Sequence, residues 1–372
     1  AFNYSRKLEK QKLDSFESNL ITGVFYLKNS NLELAKKYFL KAKNKKSQFV
    51  LNNYVSSSLY NWSNLSSVDI NYANLELKKL DKRFQNLKKI QKTFLNCYYN
   101  SPNTNELFVT LTSNQKTDFS RYNYFHASYA SSVGKINEAK SIVESALKIY
   151  PRNLLLNQYK VDLNKLKNIN VFNCKKENHV MAEILYITAN ALSSQSIYSL
   201  SNFYLNLAKF LNEDFHSFET LLAENFYKTD NFESAKNIYK KLSKKGEAFK
   251  WHSTKQLARI YIKEEKKEEA IKLTKDIYNG LIDKEIYETF DYAEFLKNNE
   301  KFEEAISYYT SVLKDIKKNH PLYSEATDGR GVSYERIGNW NQAEKDLLAS
   351  LNADPNQAYV MNYLAYSWIE KG

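Results

Sequence analysis

A small residue that returns at nearly constant spacing constrains the fold of this sequence more than any other feature. It occurs in four successive segments, at spacings of 35, 35 and 38 residues: Ala235, Ala270, Ala305 and Ala343. A second small residue precedes each of them by twelve positions: Ala223, Ala258, Ala293 and Gly331. A large residue follows three positions after each member of this second set: Phe226, Tyr261, Leu296 and Tyr334. Two antiparallel helices approach closely only where side chains are small, so the pattern predicts a series of helical hairpins.

The same register extends upstream. It predicts hairpins at 16–49 and 120–153, and a weaker one at 182–215, whereas 50–118 and 154–181 diverge from it. Ala35 and Ala139 are 104 residues apart, about three repeat lengths, so 50–118 is expected to hold two divergent hairpins. With only 8 Gly and 4 Pro in 372 residues, the chain lacks the turn residues that an all-β fold would need.

The spacing is similar to that of the tetratricopeptide repeat, which has small residues at positions 8 and 20, large ones at 11 and 24, and Pro near 32. Pro151 and Pro355 fall at that last position and are expected to end second helices. Residues 179–372 further resemble a group of exported bacterial tetratricopeptide-repeat proteins, through four segments: 182–186, 205–215, 328–340 and 362–368. The resemblance implies an all-α, right-handed superhelical α-solenoid with a concave groove. It also implies an exported or periplasmic protein, with a cytoplasmic one as the alternative, and it supplies no catalytic residue.

The predicted organisation has two arrays. An N-terminal array covers 1–167 and is divergent at 50–118, a loop at 168–178 marks a soft boundary, and a C-terminal array covers 179–372. Residues 362–372 are interpreted as the first helix of a hairpin with its turn glycine. We therefore expect further repeats beyond residue 372.

The sequence offers little that points to chemistry. The five histidines are dispersed, no metal-binding or nucleophile motif occurs, and no run of 18 apolar residues could span a membrane. Asp328-Gly-Arg-Gly331 resembles a phosphate-binding loop only superficially, because it lies inside a helical repeat. Of two readings for Cys97 and Cys174, a bridge or two buried thiols, the second is favoured. We predict a protein that is not an enzyme and carries no cofactor or metal.

The predicted binding groove is lined by positions 2, 5, 9 and 12 of the first helices, which share one helix face. The candidate residues, to which Lys263 is added as the neighbour of position 12, are His252, Lys255, Arg259, Lys263, Tyr287, Phe290, Tyr359, Asn362 and Tyr366. Basic and aromatic side chains together favour an acidic or C-terminal peptide. In the alternative reading, Arg259 lies between Glu224 and Glu294 in a structural charge ladder.

A second candidate surface lies in the basic half of the chain. The net charge is +12, and residues 1–200 carry 29 Lys and Arg against 14 Asp and Glu, a balance of +15. The basic surface comprises seven residues: Lys78, Lys79, Lys82, Arg83, Lys88, Lys89 and Lys92. An apolar stripe from Leu77 to Ile90 at helical spacing suggests either a basic amphipathic helix or a repeat helix with a solvated face.

Two functional hypotheses follow from these features. The first is a non-catalytic scaffold that binds a peptide or protein partner in the groove. The second is docking of the basic N-terminal half on an anionic membrane surface or polymer, within an assembly at the cell envelope. Nucleic acid is not favoured as a partner, because aligned basic helices with stacking aromatics are not evident.

Overall fold

The structure, a computed structural model, describes residues 1–45, 50–113, 119–167, 169–282 and 284–371, and the side chains of the last helix only to residue 369. The ends of the predicted repeat 16–49 and of the divergent region 50–118 lie partly outside these residues. Residue 168 of the predicted loop and Gly372 also lie outside them. Throughout the described residues the regular secondary structure is helical. The predicted all-α fold is therefore confirmed.

The chain forms two compact units, Ala1–Lys250 and Trp251–Gly372. The helices that lie within the first unit are α1 Phe2–Lys10, α2 Phe16–Lys28, α3 Leu32–Asn44, α4 Val50–Trp62, α5 Ile70–Lys79, α6 Gln85–Tyr98, α7 Thr104–Thr112, α8 Ser120–Ser132, α9 Ile136–Ile149, α10 Leu154–Lys165, α11 Glu177–Ser194, α12 Tyr198–Leu211, α13 Ser217–Lys228 and α14 Phe232–Leu242. The remaining helices are α15 Glu247–Lys263, α16 Lys267–Asn279, α17 Ile286–Asn298, α18 Phe302–Asp315, α19 Leu322–Arg336, α20 Trp340–Ala353 and α21 Ala358–Lys371. Two short 3-10 helices lie at Leu65–Ser67 and Lys82–Phe84.

Consecutive helices pair as the repeat register predicts. Within the units, the pairs α2/α3, α8/α9, α11/α12, α13/α14, α17/α18 and α19/α20 are antiparallel neighbours. The small residues at the two register positions are fully buried in these hairpins: Ala223, Ala235, Ala293, Ala305 and Ala343. In the α11/α12 hairpin Ser201 takes the second small position and donates its hydroxyl to the Ala189 carbonyl at 2.8 Å. Helix pairs therefore approach closely at the positions that the sequence marks.

The turn inside the regular hairpins is one repeated backbone motif. A residue with positive φ ends the first helix, and the next residue donates its N–H to the carbonyl five positions earlier, as from Asn231 to Phe226 at 2.9 Å. The residues with positive φ at these turns are Ser30, Asn100, Gly134, Ser196, Asp230, Glu265, Glu300 and Gly338. In several turns an asparagine then caps the second helix, as Asn231 does by accepting from the Ser234 N–H.

The divergent region follows the same plan in part. Its described residues form α4 to α7, which is the number of helices expected for two hairpins. Asn100, between α6 and α7, lies 70 residues after Ser30 and adopts the same left-handed turn conformation. The α4 to α5 connection instead contains the 3-10 helix Leu65–Ser67.

Cys97 and Cys174 form a disulfide, so the favoured reading of two buried thiols is wrong. Cys97 lies near the end of α6 and Cys174 in the segment between α10 and α11, with their Cα atoms 6.0 Å apart. The hairpins between these positions bring the two residues together although 77 positions separate them in sequence.

The same segment is the predicted boundary loop. Residues 169–176 are non-helical, whereas Glu177 already begins α11. Phe172 is buried against Phe94 and Phe125, and the Asn212 side chain donates to the Val171 carbonyl at 3.0 Å. Because the loop is packed into the core, it lies inside the first compact unit. The division between units falls instead between Lys250 and Trp251, within α15.

The close approach of α2 and α3 gives a testable stability effect. A Cβ added at Gly23 would lie 2.6 Å from a ring carbon of Phe39, which is fully buried. We expect Gly23→Ala to destabilise the first unit by about 1–2 kcal/mol, despite the better helix propensity of alanine, because a packed ring must move. Urea denaturation measures this effect. Combining the change with Phe39→Leu is expected to recover part of the loss, and a stabilised single variant would contradict the packing argument.

Candidate partner-binding groove

The predicted groove residues all lie in the second unit, on α15, α17 and α21. We call the face formed by positions 2, 5, 9 and 12 of α15, α17, α19 and α21 the repeat face. Two polar contacts join a member of this face to position 6 of a neighbouring first helix. The Lys255 ammonium on α15 forms an ion pair with the Asp291 carboxylate on α17. The Tyr363 hydroxyl on α21 donates to Glu335 on α19 at 2.6 Å.

The basic residues of α15 are less available than the sequence suggests. Lys255 is engaged with Asp291, and the Arg259 guanidinium donates to the Gln256 side chain at 2.9 Å. Burial lowers the pKa of His252 to about 4, with a further contribution from Lys255, so this imidazole is neutral at pH 7. Lys263 is exposed near the end of the helix. The expected cluster of free cations is thus reduced mainly to Lys263.

The predicted residues of α17 are partly core residues. Phe290 is 2% exposed and packs edge-to-face on Tyr309, with ring centroids 6.0 Å apart. This burial corrects its predicted place on the accessible groove surface. Tyr287 is half-buried, and its ring centroid lies 6.0 Å from that of His320.

An acidic centre lies between α17 and α19. Glu294 accepts hydrogen bonds from the Lys297 ammonium at 2.9 Å and from the Tyr309 hydroxyl. A Cβ added at Gly329 would lie 2.9 Å from Glu294 and 2.5 Å from the Tyr309 hydroxyl, so glycine there lets this pair lie against the backbone of α19. The neighbouring Asp328 has one carboxylate oxygen buried without a hydrogen-bond partner.

Burial raises the pKa of Asp328 to about 6, and the carboxylates Glu294 and Glu325 raise it further, while Lys297 opposes them. Glu325, Asp328 and Glu335 are not among the groove residues predicted from the sequence, although they occupy register positions 2, 5 and 12 of their repeat. Their register positions are the sequence signal that points to them.

The aromatic part of the repeat face is on α21. Tyr359 and Tyr366 are 59% and 72% exposed, and Asn362 is also exposed. Burial raises the pKa of Tyr359, and Asp328 is the first of the nearby charges that add to this shift. The exposed Tyr359 ring therefore lies near a carboxylate that lacks a full set of partners, and Tyr366 is exposed on the same helix. Such an arrangement can stack on apolar groups and accept hydrogen bonds from cationic ones.

The basic surface is located in the first unit, and it is not one helix. Lys78 and Lys79 end α5, Lys82 and Arg83 lie in a 3-10 helix, and the other three lysines belong to α6. The chain bends because Leu80 and Asp81 adopt extended backbone conformations. The reading as a single amphipathic helix is therefore wrong.

Two of the seven cations carry their own counter-ions. Lys79 pairs with Glu76, and Arg83 pairs with Asp81 at 2.7 Å. The Lys88 ammonium donates to the Lys78 carbonyl at 3.0 Å, and Lys82, Lys89 and Lys92 are exposed. The positive surface is therefore real but smaller than the count of basic residues implies.

No family model and no curated protein matches the chain. Among solved structures it is similar to YrrB, described as a TPR protein with an unusual peptide-binding site, at 17% identity over 50% of this chain and 92% of that one, with a TM-score of 0.36. It is also similar to the hetero-tetramer of the anaphase-promoting complex proteins Cut9 and Hcn1, at 14% identity over 95% of this chain and 70% of that one, with a TM-score of 0.41. Yeast Tom70 matches at 13% identity over 100% of this chain and 91% of that one, with a TM-score of 0.40.

The hairpins are of the tetratricopeptide-repeat type. Their own geometry shows this, because the buried small residues and the repeated turns recur in the register of that repeat. In the parts of the chain that the structure describes, no helix is both long and apolar enough to cross a bilayer. Within the same residues, no group of three His, Cys, Asp or Glu side chains is arranged to hold a metal ion.

Proposed function

We propose that the protein is a non-catalytic scaffold and that the repeat face of its second unit binds an extended peptide or a peptide-like segment of a protein partner. The observation that carries this proposal is the partly unpaired Asp328 carboxylate near the exposed ring of Tyr359, on a helix that also exposes Tyr366. Exposed aromatic side chains next to a desolvated charge are typical of the residues that dominate protein interfaces.

The charges favour a partner with cationic side chains over the acidic peptide that the sequence suggested. Lys255 is neutralised by Asp291, Glu335 pairs with Arg336 at 3.6 Å, and Glu294, Glu325 and Asp328 contribute three carboxylates against Lys297. A lysine or arginine of the partner would pair with this excess of carboxylates, including the half-exposed Asp328. Hydrogen bonds to charged groups are among the stronger polar contacts at an interface.

Selection of a random peptide library against the purified chain tests the proposal. We expect the selected peptides to contain Lys or Arg next to an apolar residue. Asp328→Asn is expected to weaken their binding at least about tenfold, since a charge-assisted hydrogen bond contributes about 1.5–3 kcal/mol. Tyr366→Ala is expected to weaken it by a similar factor. Fluorescence anisotropy of labelled peptides measures both effects.

The matched controls are Glu303→Gln, which removes an exposed carboxylate of α18, and Tyr4→Ala, which removes an exposed tyrosine of the first unit. Both are expected to leave the peptide affinity unchanged. Selected peptides that are uniformly acidic, or that bind the Asp328→Asn and Tyr366→Ala variants as well as the wild type, would contradict this function.

The exposed lysines of the basic surface support a second candidate function, docking on an anionic surface. We expect the protein to co-sediment with vesicles of three parts phosphatidylcholine to one part phosphatidylglycerol at low salt and to be released at high salt. Reversing Lys82, Lys89 and Lys92 to glutamate is expected to weaken this binding at least about tenfold, because each basic residue near such a surface contributes about 1 kcal/mol. Reversal of the exposed Lys7, Lys10 and Lys12 is the charge-matched control. Equal effects of the two triple variants would show that the net charge of the protein, and not this surface, determines the binding, and would contradict the second function.

We infer that the protein functions in an oxidising compartment, which fits the exported or periplasmic location that the family resemblance implies. The disulfide between Cys97 and Cys174 supports this inference, because such bridges persist outside the reducing cytosol. Alkylation of free thiols in freshly lysed cells tests it. Quantitative labelling of both cysteines in the native protein would contradict it.

A further inference from the structure

One face of α5 exposes two apolar side chains next to the first lysines of the basic surface. Tyr72 is 48% exposed and Leu75 is 55% exposed. Single exposed apolar residues are ordinary on soluble proteins, but these two lie three positions apart and are therefore neighbours on the helix surface. Asn71, Lys78 and Lys79 are also exposed. At 3.6 residues per turn, the five side chains share an arc of about 120° on α5.

The opposite side of α5 is held by the core. Ala73 and Leu77 are buried, and the helix packs against α4 and α6. Because these positions lie across the helix from Tyr72 and Leu75, the apolar pair cannot turn inward without exposing the buried residues. The fold of the first unit therefore fixes this pair at the surface.

The lysines beside the apolar pair are able to meet an external anion. The Lys78 ammonium has no ion-pair partner within the described residues, and the Lys79 ammonium hydrogen-bonds to the Glu76 carboxylate. That contact raises the pKa of Lys79, and Tyr72 adds a smaller contribution, so the ammonium is charged at pH 7 and lies near the tyrosine. An exposed ion pair of this kind contributes little stability, so Lys79 can exchange its partner readily.

The apolar pair distinguishes between the two kinds of anionic partner. A charged polymer binds basic side chains through its charges and takes up no apolar surface. The interface of a bilayer also attracts lysines, but in addition it accepts leucine side chains at the boundary of the acyl chains and tyrosine rings at the level of the headgroups. Exposed Tyr72 and Leu75 among cations therefore favour a bilayer.

We propose that the anionic partner of the basic surface is a lipid bilayer, and that Tyr72 and Leu75 enter its interface while Lys78 and Lys79 pair with lipid phosphates. This inference rests on the docking function proposed above and names lipid, rather than a polymer, as the partner. The contact is made by one helix face, so α5 lies along the bilayer surface with Ala73 and Leu77 still packed in the protein.

The double variant Tyr72→Ala/Leu75→Ala of the full chain tests the proposal in two binding assays at low salt. We expect its binding to the phosphatidylcholine and phosphatidylglycerol vesicles to weaken at least about tenfold, because two apolar side chains are no longer buried. Its affinity for heparin, an anionic polymer, is expected to stay unchanged. Tyr4→Ala/Leu13→Ala is the matched control, since these residues are 68% and 64% exposed but lie nine positions apart and form no pair on one helix turn.

A labelled variant reports insertion directly. Cys97 and Cys174 are bonded to each other, so a nitrobenzoxadiazole label can be attached selectively to Leu75→Cys. Its fluorescence is expected to rise and shift to shorter wavelength when the vesicles are added, as the label leaves water. The same label on Leu13→Cys is expected to change little.

The outcomes separate this inference from the docking function. If reversal of the three lysines weakens vesicle binding but folded Tyr72→Ala/Leu75→Ala protein binds as well as the wild type, the bilayer inference is overturned and docking stands. Wild-type protein that binds heparin but not vesicles has the same meaning. Lysine reversal without effect on either partner contradicts docking itself. Circular dichroism checks that each variant is folded.

Discussion

Replacing Cys97 and Cys174 with serine is expected to lower the free energy of unfolding of the first unit by about 4 kcal/mol. The disulfide closes a loop of 77 residues, and the entropy that this removes from the unfolded chain grows with the length of the loop. Urea denaturation of the double variant and the wild type under non-reducing conditions measures the difference.

The wild type in the presence of a reductant serves as the internal control, because it should unfold at the same urea concentration as the double variant. The aromatic contacts of Phe172 with Phe94 and Phe125 do not depend on the sulfur atoms. The variant is therefore expected to fold and to keep these contacts. A double variant as stable as the oxidised wild type would show that the bridge adds no constraint.

Arg121→Met is expected to destabilise the first unit by about 3–5 kcal/mol, because it leaves the Glu183 charge buried without its partner. The guanidinium of α8 donates to both carboxylate oxygens of Glu183 on α11 at 2.8 Å, and the Glu183 side chain is fully buried. Arg121 also donates to the Ser217 hydroxyl at 2.6 Å and stacks on the Tyr186 ring, 3.9 Å from its centroid. The Arg121 side chain thus links α8 to α11 and α13 through hydrogen bonds. Thermal and urea denaturation measure the effect.

This variant is also expected to depend on pH in a defined direction. Burial already holds the pKa of Glu183 above its ordinary value, and loss of Arg121 removes the group that opposes that shift. Between the ordinary pKa and the raised one, the folded variant holds a proton that the unfolded chain has released. Its stability therefore falls as the pH rises through that window, and the variant is closest to the wild type in mildly acidic solution.

The double variant Arg121→Met/Glu183→Met separates the lost ion pair from lost packing. With both charges replaced by apolar groups, most of the stability is expected to return, since a buried pair contributes little over well-packed hydrophobic residues. A double variant less stable than Arg121→Met alone would indicate that the packing of these side chains matters more than the charge.

The hairpins could be predicted from the sequence because close helix packing requires small residues at short, regular spacings. Ala235 and Ala305 are small where the opposing helix must approach, and they are fully buried there. No local sequence pattern predicts the disulfide. Cys97 and Cys174 meet only because intervening hairpins fold back, so their separation in space cannot be obtained from their spacing in the chain.

The candidate groove was predictable in location but not in charge. The register placed Lys255 and Tyr366 on one face of their helices, which is a property of each helix alone. Whether Lys255 is free depends on Asp291 of the next first helix, and that pairing is set by how the repeats pack. The burial of Phe290 has the same origin.

The hairpin turns have a consequence for engineering this protein. Six of the turn residues with positive φ carry side chains, among them Ser30, Asp230 and Glu300, although glycine fits this conformation with least strain. These turns lie outside the helix faces that form the groove and the core. Glycine at several of these turns is therefore expected to raise the thermal stability without altering the groove or the core. In such a background, destabilising variants of the binding face could be purified and assayed as folded proteins.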